Sequence, residues 1–193
     1  IVASLVGSEM CIRDRIQAPP TFNYVSDSFM NDLRMQCGSY GYKAPVTRWN
    51  DGDNLWGAFG PIFRGVNDHQ ELTPRTYTMS FRLGTYIATQ FKPIVAKVIY
   101  EMTNAKTVLD TSMGWGDRLT GFYASNATHY IGCDPNPKTF ARYKEMIEFY
   151  DKLTGGKKTV QIYNCGAEDL PWEKINNVDV SFSSPPYWAC LLY

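Results

Sequence analysis

Thr107-Val108-Leu109-Asp110-Thr111-Ser112-Met113-Gly114-Trp115-Gly116-Asp117-Arg118-Leu119-Thr120-Gly121 decides the fold. A short β-branched and apolar run stops at an acid, passes through a loop with two glycines and opens into a helix. Asp117 is suited to cap that helix, because a carboxylate accepts hydrogen bonds from the free amides of a first turn. Glycine at 114 and 116 lets backbone approach a bound molecule where a Cβ would intrude; the plain alternative is a tight strand-to-helix turn. A dinucleotide fingerprint would need glycine at 119, where the chain has Leu119, so a nicotinamide cofactor loses its signature.

Downstream, the same unit repeats. Tyr130-Ile131-Gly132-Cys133 forms a second apolar run ending at Asp134, 24 residues after Asp110, which is one strand-helix-strand step. An acid there is placed to accept from ribose hydroxyls. Asn136 or Pro137 opens a helix to about Leu153, with Phe140, Tyr143, Ile147 and Tyr150 along one side. Gly155-Gly156-Lys157-Lys158 follows a helix and precedes a strand, the reverse of a phosphate loop, and reads as a turn. Thr159 to Tyr163 is the third strand, with Glu168 and Asp169 just past it, placed either to meet an adenine amine or to cap the short segment that follows. The fourth, through Val178, Val180 and Phe182, runs into Ser184-Pro185-Pro186-Tyr187-Trp188. The prolines end the strand and stiffen the loop, because neither donates a backbone hydrogen bond.

Upstream, Phe91-Lys92-Pro93 leads into a helix with Ile94, Val95, Val98, Ile99 and Met102 at three- and four-residue steps. Residues 16–80 form an aromatic-rich extension with weak periodicity, expected to cover an edge of the core or to line a channel. Residues 1–15 have no sustained periodicity and look like a translated sequencing adapter rather than native protein. The 19 basic and 19 acidic residues give no global signature of a nucleic-acid partner. Five scattered cysteines without a Cys-x-x-Cys pair, and two distant histidines, leave little material for structural zinc or a histidine-based triad. No apolar run reaches the roughly 18 residues of a membrane span. The expectation is a cytoplasmic α/β protein of Rossmann-like type, with a mostly parallel sheet, flanking helices and no metal.

Ligands of open parallel sheets lie beyond the carboxyl ends of the strands, so the loops at Asp110, Asp134, Glu168-Asp169 and Ser184-Tyr187 converge on one crevice. With the glycine loop preceding Ser-Pro-Pro-Tyr, the chain resembles the S-adenosylmethionine-dependent DNA amino-methyltransferases, phage-type members in particular, over residues 81–193. It departs from many relatives in having Thr111 where they have proline. The resemblance implies S-adenosylmethionine as cofactor. It puts Asp110, Gly114 and Gly116 around the methionine part, Asp134 on the ribose, Glu168 or Asp169 at the adenine, and Phe91, Lys92 and Pro93 in a further cofactor-contacting element. It also implies that Ser184 and the Pro185 carbonyl orient an exocyclic amine, next to Pro186, while Tyr187 stacks on a flipped base of DNA. Relatives continue with further strands, so residues 81–193 are expected to be an incomplete domain, unstable and inactive as a free chain. Target base and oligomeric state stay open, as do an RNA or protein-glutamine acceptor and a non-catalytic nucleotide-binding role.

Overall fold

The computed structural model describes residues 20–38, 41–52, 55–57, 59–60, 72–73, 76–77, 80–82, 85 and 87–184. Residues 1–15, and Pro185, Pro186, Tyr187 and Trp188 of the fourth-strand motif, lie outside the described residues. The chain divides into two compact units. One comprises residues up to 30 together with 90–185; the other comprises 31–89 with 186–193.

The first unit is a Rossmann-like α/β layer. A turn of 3₁₀ helix at Pro20–Asn23 precedes α1, Tyr24–Met35. After α2 (Pro45–Asn50) of the other unit come α3 (Pro93–Met102), β1 (Thr107–Asp110), α4 (Asp117–Tyr123), β2 (His129–Cys133), α5 (Pro137–Thr154), β3 (Thr159–Tyr163) and β4 (Val180–Ser181). All pairings are parallel, in the order β3-β2-β1-β4. The chain runs outward from β1 to β3 and then returns to the other side of β1. That reversal is the point where open α/β sheets leave a crevice.

Burial follows position in the sheet. β1 and β2 are buried almost throughout, β3 is half-buried, and on β4 Val178, Val180 and Phe182 are half-buried while Asp179 and Ser181 are exposed. Such alternation marks a strand with one neighbour among the described residues. Asp179 pins β4 to the start of β1, its Oδ2 accepting from the Lys106 and Thr107 amides at 2.8 Å each. These two donors hold its carboxyl below the usual range.

The helix ends obey local chemistry. Asn136 caps α5 by accepting from the Lys138 amide at 3.0 Å, Pro137 occupies the first turn, and Gly155 closes the helix at φ +71°. Lys158 lies beyond that turn and donates to the Phe122, Ser125 and Ala127 carbonyls at 2.8, 2.6 and 2.9 Å. It therefore covers the carbonyl end of α4, where a cation is favourable, and the Gly-Gly-Lys-Lys stretch is a turn.

Two helix faces differ from the periodic expectation. On α5 the buried positions are Thr139, Tyr143, Met146 and Tyr150, so Phe140 and Ile147 sit at the flank. On α3 they are Pro93, Ala96 and Tyr100, while Met102 is 80% exposed. The cause is the close approach of α4: a Cβ on Gly121 would come within 2.6 Å of both the Ala96 Cβ and the Pro93 carbonyl oxygen. A small residue must face that contact, and the larger aliphatics turn away.

In the second unit the aromatic residues pack on one another. Trp49 meets Phe81 edge-on at 5.6 Å between centroids, and Phe59 lies 5.7 Å from Tyr77 and 6.0 Å from Phe81. Arg34 donates to the Ala88 carbonyl, and Lys43 pairs with Asp51 at 2.7 Å.

Candidate functional site

The strand order places the loops after β1 and β4 side by side, and hydroxyls join them. Ser112 Oγ and Ser183 Oγ are 2.7 Å apart, and Thr111 Oγ1 donates to Ser183 Oγ at 3.1 Å. Ser184, the next residue, is exposed. Ser183, the residue before the Ser-Pro-Pro-Tyr segment, is therefore in direct contact with the loop after β1.

Below this contact, Asp110 is fully buried and saturated. Its Oδ2 accepts from Arg118 Nε at 2.8 Å and the Tyr130 hydroxyl at 2.7 Å; its Oδ1 accepts from Arg118 Nη2 and the Ser112 amide at 3.2 Å each. Arg118 also donates to the Ser112 carbonyl. A guanidinium suits this position because its planar fork meets both carboxylate oxygens at once. The tie extends to the upstream element: the Arg118 guanidinium lies 5.6 Å from the centroid of Phe91, which meets Phe182 edge-on at 5.6 Å. Phe91 is half-buried, Pro93 is buried and Lys92 is exposed.

The two loop glycines have different reasons to be glycine. Both have positive φ, +59° at Gly114 and +77° at Gly116. A Cβ on Gly116 would lie 2.9 Å from the Met146 side chain, so this residue makes room for α5. Among the described residues, a Cβ on Gly114 would have only the Ser112 carbonyl oxygen, at 3.9 Å, within 4 Å. No described side chain crowds that backbone, as the approach of a ligand requires. The Tyr143 hydroxyl donates to the Gly114 carbonyl and fixes the loop from below.

Asp134, at the end of β2, holds the same loop. Its Oδ2 accepts from the Gly114 amide at 2.9 Å, and its Oδ1 accepts from the Asn136 amide at 3.0 Å and Thr139 Oγ1 at 3.2 Å. Asn164 links β2 to β3 by donating to the Asp134 carbonyl at 2.9 Å. Beyond β3, Glu168 and Asp169 are exposed on a 3₁₀ turn, Ala167–Asp169, with the Glu168 carboxylate folded over Gly166.

Asp117 is not the cap of α4. Gly116 takes that position, and the Asp117 carboxylate turns inward, where its Oδ1 accepts from Asn23 Nδ2 at 2.9 Å and Ser26 Oγ at 2.5 Å. Asn23 also donates to the Phe91 carbonyl at 2.7 Å. Desolvation pushes the Asp117 carboxyl up to about 6, against the opposing pull of the Ser26 and Asn23 hydrogen bonds. Cys133 donates to the Thr111 carbonyl at 3.3 Å, and burial pushes its thiol up to about 12, so it is no nucleophile at neutral pH.

Ser183, Arg118, Asn23 and Ser26 carry contacts that sequence spacing did not single out. Among the described residues there is no cluster of three or more metal-binding side chains, and no helix is long and apolar enough to cross a membrane.

No protein-family model and no curated protein matches the chain. Among solved structures, the N-terminal domain of EvdMO1 with SAH bound is similar with a TM-score of 0.40 and 14% identity, over 68% of this chain and 52% of that one. A methyltransferase from Geobacter sulfurreducens is similar with a TM-score of 0.32 and 14% identity, over 54% of each chain. The chain thus spans about half the length of these structures. The fold assignment rests on the strand order and the parallel pairings described above.

Proposed function

We propose that the crevice between the ends of β1 and β4 binds S-adenosylmethionine and serves transfer of its methyl group to the exocyclic amine of a DNA base, cytosine N4 or adenine N6. The observation that carries this reading is the meeting, at the reversal of strand order, of the glycine loop with Ser183, the residue before Ser184-Pro185-Pro186-Tyr187, through Ser112 and Ser183 Oγ atoms 2.7 Å apart. The motif order of the sequence supports the same assignment.

On this reading the uncrowded backbone at Gly114 admits the methionine part, and Asp134 at the end of β2 accepts from a ribose hydroxyl. The exposed pair Glu168 and Asp169 stands at the β3 end, where an adenine amine would lie. Asp110 acts by holding the loop through Ser112 and Arg118, since its four bonds occupy both oxygens. The bound cofactor supplies an activated sulfonium methyl. The chain's own residues then align: Ser184 and the Pro185 carbonyl accept from the amine and direct its lone pair towards the methyl, Tyr187 stacks on the base, and proximity contributes most of the acceleration.

Incubation of the protein expressed from its complete coding sequence with tritium-labelled S-adenosylmethionine and duplex DNA, RNA or protein tests the proposal. Label in DNA, lost in Ser184→Ala, is the expected result. Label in RNA or protein alone would overturn the choice of acceptor, and none in any polymer would overturn the transfer reaction.

A further inference from the structure

We propose that Ser183 is a positioning residue: its hydroxyl, shared with Thr111 and Ser112, holds the glycine loop at a fixed distance from the Ser184 loop, so that methyl donor and amine acceptor meet in register. The assignment rests on the methyl-transfer reading of the crevice. Its geometry stands apart from that reading.

β4 is a minimal strand, Val180–Ser181, with two residues paired to β1. The last backbone bond between the two strands runs from the Phe182 amide to the Leu109 carbonyl at 2.9 Å. Beyond it, the described contacts that join the two loops are the Ser183 hydroxyl bonds to Thr111 and Ser112, while Phe182 meets Phe91 of the upstream element edge-on. Hydrogen bonds fix direction as well as separation. Among the described contacts, register between the loops rests on Ser183.

The proton count is informative. Three hydroxyls bring three protons and make two mutual bonds, with Thr111 donating to Ser183. One proton is left over. It resides on Ser112 when Ser183 donates, and on Ser183 when Ser112 donates. The bridge thus presents one hydroxyl donor to the crevice from either loop without breaking, and a ligand acceptor on either side locks its direction.

Amide hydrogen exchange reads the bridge without any ligand. The Ser112, Gly114 and Gly116 amides are bonded to Asp110, Asp134 and the Met113 carbonyl, and report the loop directly. In Ser183→Ala these amides are expected to exchange at least about tenfold faster, with Leu109 and Ile131 unchanged, and Ser183→Thr restores the wild-type rates. Ser112→Ala combined with Ser183→Ala behaves like Ser183→Ala alone. Unchanged loop exchange in Ser183→Ala, or additive effects in the double variant, would overturn the proposal.

In transfer assays Ser183→Ala is expected to lower kcat about tenfold, with KM for S-adenosylmethionine within about threefold, and Ser183→Thr recovers kcat. Equal kcat in wild type and Ser183→Ala would also overturn it. If the wild-type protein expressed from its complete coding sequence transfers no methyl group, the methyl-transfer reading is overturned, and the exchange rates then decide the hydroxyl bridge alone.

Discussion

Replacing Arg118 by leucine removes two of the four hydrogen bonds to Asp110 and leaves the Ser112 carbonyl without its donor. The side chains of Arg118 and Asp110 are 5% and 0% exposed, so water cannot take over. An ion pair stripped of one partner in such surroundings costs about 3–5 kcal/mol, because the remaining charge is buried without compensation. An exposed pair would cost roughly 0–1 kcal/mol. For a domain of this size the larger figure lowers the melting midpoint by roughly 6–20 °C. Urea unfolding of wild type, Arg118→Leu, Asp110→Asn and the double variant separates the terms. Asp110→Asn in the Arg118→Leu background is expected to recover about 2 kcal/mol or more, since it removes the orphaned charge while its Oδ1 still accepts from the Ser112 amide and its Nδ2 donates to the Tyr130 hydroxyl, which turns to accept. A loss below about 1 kcal/mol in Arg118→Leu would refute the account of a dry, saturated carboxylate beneath the crevice.

Asp117 makes stability depend on pH. Its folded value of about 6 lies above its ordinary 3.8. The stabilisation is therefore complete below the unfolded value and is lost as pH rises through 6, by about 3 kcal/mol in all. Asp117→Asn, compared with wild type at pH 4.5 and pH 8 by urea unfolding, is expected to abolish most of that slope. Tyr100 is 1% exposed, and its hydroxyl has no hydrogen-bond partner among the described residues. Tyr100→Phe should raise stability by about 1 kcal/mol in thermal unfolding, because it removes a desolvated polar group without a partner. Lys158→Met strips a donor from three carbonyls at the end of α4; a loss of about 1–3 kcal/mol is expected, with faster amide exchange in α4.

The strand runs and the helix ends at Asn136 and Gly155 were legible in the sequence, because each is dictated by neighbours within a few residues, and the parallel character of the sheet followed from the strand-helix-strand alternation. The glycine loop and Asp134 were legible for the same reason, since strand, turn and acid recur at one spacing. Contacts across long separations were not. Asp117 looks like a cap until Asn23 and Ser26, more than 90 residues earlier, claim its carboxylate. Its local signal is identical in both cases. On α3 a run of aliphatics outweighs Ala96 in any periodic reading, yet the face is chosen by Gly121 on another helix. The resemblance puts Asp110 at the cofactor; that its oxygens accept from Arg118 and Tyr130 was not legible, since α4 and β2 supply those partners. Ser183 stands beside a more conspicuous motif residue, and its partner hydroxyls lie about 70 residues away.

Calorimetric titration of S-adenosylhomocysteine into wild type and Gly114→Ala tests the central claim most directly. A Cβ at position 114 points into open space, so the variant should fold with only the cost of a left-handed alanine, roughly 1–2 kcal/mol. The same Cβ occupies the approach assigned to the cofactor. Saturable binding to wild type, weakened at least about tenfold in a folded Gly114→Ala, is the predicted result. No binding to wild type, or equal affinity in the variant, would contradict a cofactor site at the β1 loop.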